Sequence, residues 1–190
     1  MGKRLYLTRK EVELILEATS GARHALRDRC MILMSYLHGL RVSELSGLKL
    51  TDIDLSGERI YIRRLKNGLS TSHPIPVFER EWLRRWIGLS ALQGSGSPWL
   101  FPSAKGGRMS RQNIYRLLKR YGEHAALPLR VHPHMLRHGC GYELAEQGMD
   151  TRLIQDYLGH RNIRHTVHYT AGNAGRFARA WKASEDEPVV

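Results

Sequence analysis

Residues 132–139 read HPHMLRHG, which puts three histidines and one arginine in eight positions. Pro133 suits the first turn of a helix, where its missing N–H costs nothing, so the stretch is predicted to open one. On that helix His134 and Arg137, three apart, share a face, and so do His134 and His138, four apart. The second spacing is that of a zinc helix. Met135, however, stands where the hydrolytic version carries a glutamate base, and the nearest neighbour on the face is Arg137, whose cation repels a metal. No metal and no other cofactor is therefore expected. Two readings remain for the segment by itself: a grip on a negatively charged ligand, or a satisfied core histidine beside a surface arginine.

Outward from this stretch, the chain is predicted to be mostly α with a small antiparallel β-sheet, an α+β class. Thr8 and Glu11 form a capping box ahead of a helix that buries Val12, Ile15 and Leu16. A second helix is expected over 22–38, with Leu26, Cys30, Leu33, Met34 and Leu37 at helical spacing and Gly39 as its stop. A short turn follows through Val42 and Leu45. The period then changes. Ile60 and Ile62 alternate with Tyr61 and Arg63, Ile75 alternates with Val77, and Asn67-Gly68 signals a hairpin with Lys66 at its tip.

Residues 79–90 read as a helix burying Trp82, Leu83, Trp86 and Ile87, followed by a surface loop over 93–98. Ser110 caps a helix with Ile114, Leu117, Leu118 and Tyr121 inside and Arg111, Arg116, Lys119 and Arg120 outside. Asp150 caps another that buries Leu153, Ile154, Tyr157 and Leu158 and ends at Gly159. Phe177 and Trp181 make a short apolar stripe. Residues 1–183 are expected to form one domain, and the acidic tail, 184–190, to be disordered.

Charge narrows the function. Thirty Lys and Arg against eighteen Asp and Glu leave a net +12 and a pI near 10.2, dispersed along the chain, which points to a polyanionic partner such as nucleic acid. Cys30 and Cys140, the two cysteines, form no CxxC pair, so a reducing compartment is expected. No long apolar run could span a bilayer and the first residues turn polar too early for a secretory signal, so the expectation is a cytoplasmic, nucleoid-associated protein with no membrane partner.

In chain order the striking side chains are Arg41 in HGLRVSEL, Lys66 in LKNG, His134 and Arg137 in HxxRH, His160 in LGH and Tyr169 in HTVHYT. This constellation resembles the catalytic domain of the tyrosine recombinases, the phage-integrase family, over nearly the whole chain. The short length, RLYLT near the start and RRLKNGLSTSHP are similar to the small fimbrial-switch invertases of that family.

The resemblance implies the tyrosine recombinase catalytic-domain fold and transesterification of a phosphodiester without metal or ATP. Arg41 and Arg137 would clamp the nonbridging phosphate oxygens, with Glu44 supporting Arg41. His134 and His160 would donate to the same oxygens or trade protons. Lys66 would protonate the leaving 5′ oxygen. Tyr169 would be the nucleophile of a 3′-phosphotyrosyl intermediate. Tyr157 competes for that role but falls on a buried stripe, and His138, His165 and His168 read as structural or DNA-proximal.

The helix carrying Arg111, Gln112, Asn113, Arg116 and Lys119 is implied to lie against DNA; a plain solvated face is the alternative. The resemblance implies a homotetramer on double-stranded DNA with inverted repeats; Arg41 comes too early for an N-terminal core-binding domain, so reliance on cooperative assembly or host DNA-bending proteins is expected. Phe177 and Trp181 would dock between protomers or cover their own core. The implied activity is site-specific inversion of a promoter segment that controls fimbrial or other surface-gene phase variation. A type IB topoisomerase-like nicking-closing enzyme and a catalytically silent DNA-binding regulator are the alternatives, and the second would have no need of Tyr169.

Overall fold

The computed structural model describes residues 4–64, 69–94 and 96–171. Helix α1 (Arg9–Glu17) starts at the Thr8–Glu11 capping box, as the sequence predicts. Helix α2 (Ala25–Leu37) is buried along most of its length and packs against α1, α4 (Val77–Leu92) and α6 (Pro133–Glu146). A helix inside the core must be apolar on more than one face, and Cys30 to Met34 are continuously so. It begins three residues later than expected, because turns around Gly21 (φ 78°) occupy the preceding stretch.

After α2 come α3 (Val42–Ser46), one 3-10 turn and an antiparallel sheet of three strands in sequence order. These are β1 (Ile53–Asp54), β2 (Arg59–Ile62) and β3 (Thr71–Pro74). Ile60 opposes His73 and Ile62 opposes Thr71, which sends Ile60 and Ile62 into the core fully buried. The expected alternation of Ile75 with Val77 fails: Ile75 is buried, but Val77 opens α4 and is 71% exposed. Pro74 and Pro76 supply no N–H to a ladder, so the strand stops there. Lys66 and the Asn67-Gly68 tip lie outside the described residues, as do Phe177, Trp181 and the acidic tail.

Helix α4 buries Glu79, Leu83, Trp86 and Ser90, while Trp82 and Ile87 are half-buried rather than central. Glu79 takes an inward place because His38 of the loop after α2 is its partner there, with Nε2 at 3.0 and 3.1 Å from its carboxylate oxygens. The loop after α4 is not wholly at the surface, since Ser97 is buried and its hydroxyl donates to the Gly106 carbonyl at 2.8 Å. Ser110 caps α5 (Arg111–His124), and Pro133 occupies the first turn of α6. Asp150 caps α7 (Thr151–Leu158). There Leu153 is 48% exposed, against expectation, and Gln155 is buried instead. Gln155 satisfies the loop beyond, its Nε2 donating to the His160 carbonyl at 2.9 Å. Helix α8 (Arg164–Thr170) packs on α6 and α7. Among the described residues no helix is long and apolar enough to cross a membrane.

Candidate active site

Gly39, in the left-handed region at φ 55°, ends α2 and turns the chain so that Arg41 becomes the N-cap of α3. Glu44, one turn on, accepts from the Arg41 backbone N–H at 2.8 Å and from its Nη1 at 2.8 Å. Burial pushes the Glu44 carboxyl up, but Arg64, the Arg41 backbone and side-chain donors and Arg137 outweigh it and hold the group below the usual carboxylate range.

Arg137 comes from the second turn of α6 and is 4% exposed. Its Nη1 donates a short hydrogen bond to the Gly39 carbonyl, its Nη2 donates to the Leu158 carbonyl at 2.7 Å, and Nη1 stands 4.0 Å from Glu44. Burial, then repulsion by Arg41 and Arg64, lowers its pKa to about 10, so the guanidinium stays charged at neutral pH. Arg137 thus ties the end of α2 to the end of α7, while the Arg41 side chain, 30% exposed, lines a groove.

His134, one turn before Arg137, opens onto a groove that it lines with Arg41, Ser43, Arg111, Gln112 and Tyr115. Partial burial, then Arg137 and Arg41, hold its ring below the ordinary histidine value. His160 follows the left-handed Gly159 (φ 65°), and its Nδ1 meets the Thr166 hydroxyl at 2.9 Å. Burial, followed by the charges of Arg137 and Arg41, pushes its pKa down to about 3. Its ring lies nearly parallel to that of Tyr169, their centroids 6.5 Å apart.

Tyr169 is 2% exposed, although its sequence neighbours are polar. Its ring fills the space left by Gly141, where a Cβ would come within 2.6 Å of it. Its hydroxyl lies 2.8 Å from Nδ1 of His138. Burial raises the phenol above its ordinary value, with Arg137 and Arg41 pulling the other way. His134, His160 and Tyr169 therefore each feel the charges of both Arg41 and Arg137. Lys66 cannot be placed, being outside the described residues.

The α5 residues divide. Arg111 and Gln112 share the groove with Arg41 and His134. Arg116 and Lys119, with Gln112, line an adjoining hollow beside Arg130 and His132. Asn113 is exposed in the first turn and borders neither hollow; Lys119 also pairs with Glu123 at 3.5 Å.

Sequence reasoning missed two buried groups beside this centre. One is Arg64, which donates to Glu44 at 2.8 Å. The signal was available, since strand parity puts residue 64 on the same inward face as Ile60 and Ile62. The other is the His38–His73–Glu79 network, in which His38 Nδ1 lies 3.2 Å from His73 Nδ1. No local signal marks it, because its members come from three distant segments.

Residues 5–176 match the family model described as the phage integrase family. The chain is 54% identical over 184 residues to the type 1 fimbriae regulatory protein FimE of Escherichia coli K12, covering 96% of this chain and 93% of that protein. It is 50% identical over 180 residues to the type 1 fimbriae regulatory protein FimB of the same strain, covering 94% and 90%. Among solved structures, the XerH site-specific recombinase bound to palindromic difH substrate, a post-cleavage complex, superposes with a TM-score of 0.78 at 26% identity. That match covers 94% of this chain and 54% of the XerH chain, so this chain spans about half the length of that recombinase.

Proposed function

This chain belongs to the phage integrase family, the tyrosine recombinases, and we propose that it is a site-specific DNA invertase acting through a 3′-phosphotyrosyl intermediate. The observation that supports the reading is the grouping of Arg41 with His134 on one groove and with Arg137 around Glu44, with the His160 and Tyr169 rings 6.5 Å apart beside them, in a protein of net charge +12. One carboxylate, Glu44, faces the guanidinia of Arg41, Arg64 and Arg137, so the site carries surplus positive charge that a phosphodiester would offset.

Arg41 and Arg137 hold the nonbridging oxygens, and the two histidines donate to them. As the Tyr169 Oη–phosphorus bond forms, the phenol gives up its proton to solvent. As the bond to the 5′ oxygen breaks, Lys66 supplies one. The ester energy is kept in the phosphotyrosine, and attack by a second 5′ hydroxyl reseals the strand without an external energy source. Tyr169 has to leave its buried place to do this, which makes the described arrangement a resting one.

The groove beside Arg41 is read as the track of the DNA, with Arg111 and Gln112 at base edges or phosphates and Arg116 and Lys119 on the backbone. A homotetramer on two inverted repeats, with host DNA-bending proteins, completes the assembly, and residues 1–183 act as one catalytic domain. Similarity to FimE and FimB supports a promoter segment of a fimbrial or other surface-gene operon as the inverted DNA. Orientation-specific PCR across inverted repeats near this gene, in cells expressing wild type or Tyr169→Phe, tests the reading. Switching with wild type alone is expected; switching with both proteins would remove Tyr169 from the chemistry.

A further inference from the structure

Arg64 lies two residues beyond the end of β2, and its guanidinium is entirely buried. Its Nη1 donates to Glu44 Oε2 at 2.8 Å and its Nη2 to the Tyr157 carbonyl at 2.6 Å, while Nε is buried with no hydrogen-bond partner among the described residues. The side chain lies against Gly159, where a Cβ would come within 2.9–3.0 Å of its Nε, Cδ and Cγ. Each group it grips governs a different part of the site. Glu44 orients Arg41, and Tyr157 precedes Leu158, whose carbonyl holds Arg137, and Gly159, which aims His160.

Resting on the recombinase reading above, we propose that Arg64 is a positioning residue for strand cleavage. It clamps Glu44 to the C-terminal end of α7 so that Arg41 and His160 stand ready around the phosphate.

Burying this cation is costly, and a buried ion pair is often replaced by apolar packing without loss of stability, so stability alone gives little reason for it. A planar fork, unlike a lysine, reaches a carboxylate and a carbonyl at once. Arg64 cannot itself touch DNA in this position. It acts through the groups it holds.

The test uses the full chain and a supercoiled plasmid carrying the DNA that flanks this gene, with covalent protein–DNA complexes trapped by denaturation. Wild type is expected to form them and Tyr169→Phe to form none. Arg64→Met is expected to slow their formation about 30-fold or more at saturating protein while DNA affinity changes less than about threefold. Arg64→Lys, which restores the pairing with Glu44 alone, is expected to fall between. Arg64→Met combined with Glu44→Gln should lose less than the product of the two single losses, because the two variants share the Arg64–Glu44 contact.

A second readout needs no DNA. The NMR titration of His160 should move upward in Arg64→Met and Arg64→Lys. Arg64→Lys keeps the positive charge, so the movement in that variant would report a displaced ring. Wild-type cleavage by Arg64→Met, additive losses in the double variant, or an unchanged His160 titration each overturn the proposal. Complexes that are absent with wild type, or present with Tyr169→Phe, overturn the recombinase reading and this proposal with it.

Discussion

The Tyr169 hydroxyl and Nδ1 of His138 stand 2.8 Å apart, deep between α6 and α8. Burial, then the neighbouring His168 and His134, pushes the His138 pKa down to about 4, and burial raises that of Tyr169. Both are neutral at pH 7, so the phenol donates and the imidazole accepts. His138 is too weak a base in this setting to carry the proton of the proposed nucleophile away efficiently. It holds the resting side chain instead. His138→Leu leaves a buried hydroxyl unpaired, at about 1–3 kcal/mol. Its Tm is expected to fall while the rate of covalent complex formation stays within about tenfold of wild type; a loss as complete as that of Tyr169→Phe would make His138 part of the chemistry.

Arg41 and Arg137 share a proposed role but are held differently in the fold. Arg41 is part-exposed and makes its side-chain contact with Glu44, which Arg64 also holds. Arg137 ties two carbonyls from the ends of α2 and α7. On the proposed mechanism either change to alanine removes a donor from the transition state, with an expected loss of about 10²–10³ in cleavage rate. Arg41→Ala is expected to cost under about 1 kcal/mol of stability. Arg137→Ala strands both carbonyls, and relief of repulsion with its two neighbouring arginines offsets only part of this, leaving about 2–3 kcal/mol. For a chain of this size that is roughly 5–10 °C in Tm. Equal melting temperatures for the two variants would contradict the tie between α2 and α7.

Acid should loosen this protein well before its carboxylates titrate. Burial above all lowers the pKa of His138 to about 4, of His160 to about 3 and of His73 to about 2. In the unfolded chain each takes up a proton near pH 6.5. Between that value and the folded one the unfolded state binds more protons, so their contribution is complete above pH 6.5 and is lost as pH falls below it. Each contributes up to about 1.4 kcal/mol per pH unit in that window, the part-exposed His138 and His160 less. Tm measured from pH 7.5 to 5 should decline throughout the lower half of that range, and a flat profile would mean these rings protonate in place.

Much of this was written locally. Thr8, Ser110 and Asp150 are caps whose bonding partners lie within three residues, and Pro133 fixes a helix start by its ring. These features are legible because cause and effect are neighbours in sequence. The errors have the opposite origin. Leu153 points outward because Gln155 is needed inside by a loop that follows the helix. Strand β1 has two residues, too few for a period to show. Tyr169, in a run of polar residues, is buried because Gly141 of a different helix leaves room for its ring. The ordered motif set pointed to the site, but Arg64 and the His38–Glu79 pair depend on contacts between distant segments.

The division within α5 predicts two kinds of DNA variant. Arg111 and Gln112 share a groove with Arg41 and His134, whereas Asn113 in the same turn borders neither that groove nor the hollow beside it. If DNA follows the groove, Arg111→Ala loses one phosphate contact, so binding weakens on every sequence and the slope of log K against log salt shrinks by about one. Gln112→Ala removes a side chain able to read a base edge, so affinity for the true repeat should drop by about 1–3 kcal/mol while binding to unrelated duplex is kept. Asn113→Ala should do neither. Mobility-shift titrations at several salt concentrations, with repeat and scrambled duplexes, separate these outcomes. An Asn113→Ala defect as large as that of Arg111→Ala would place the DNA across the outer side of α5 and away from the arginine pair.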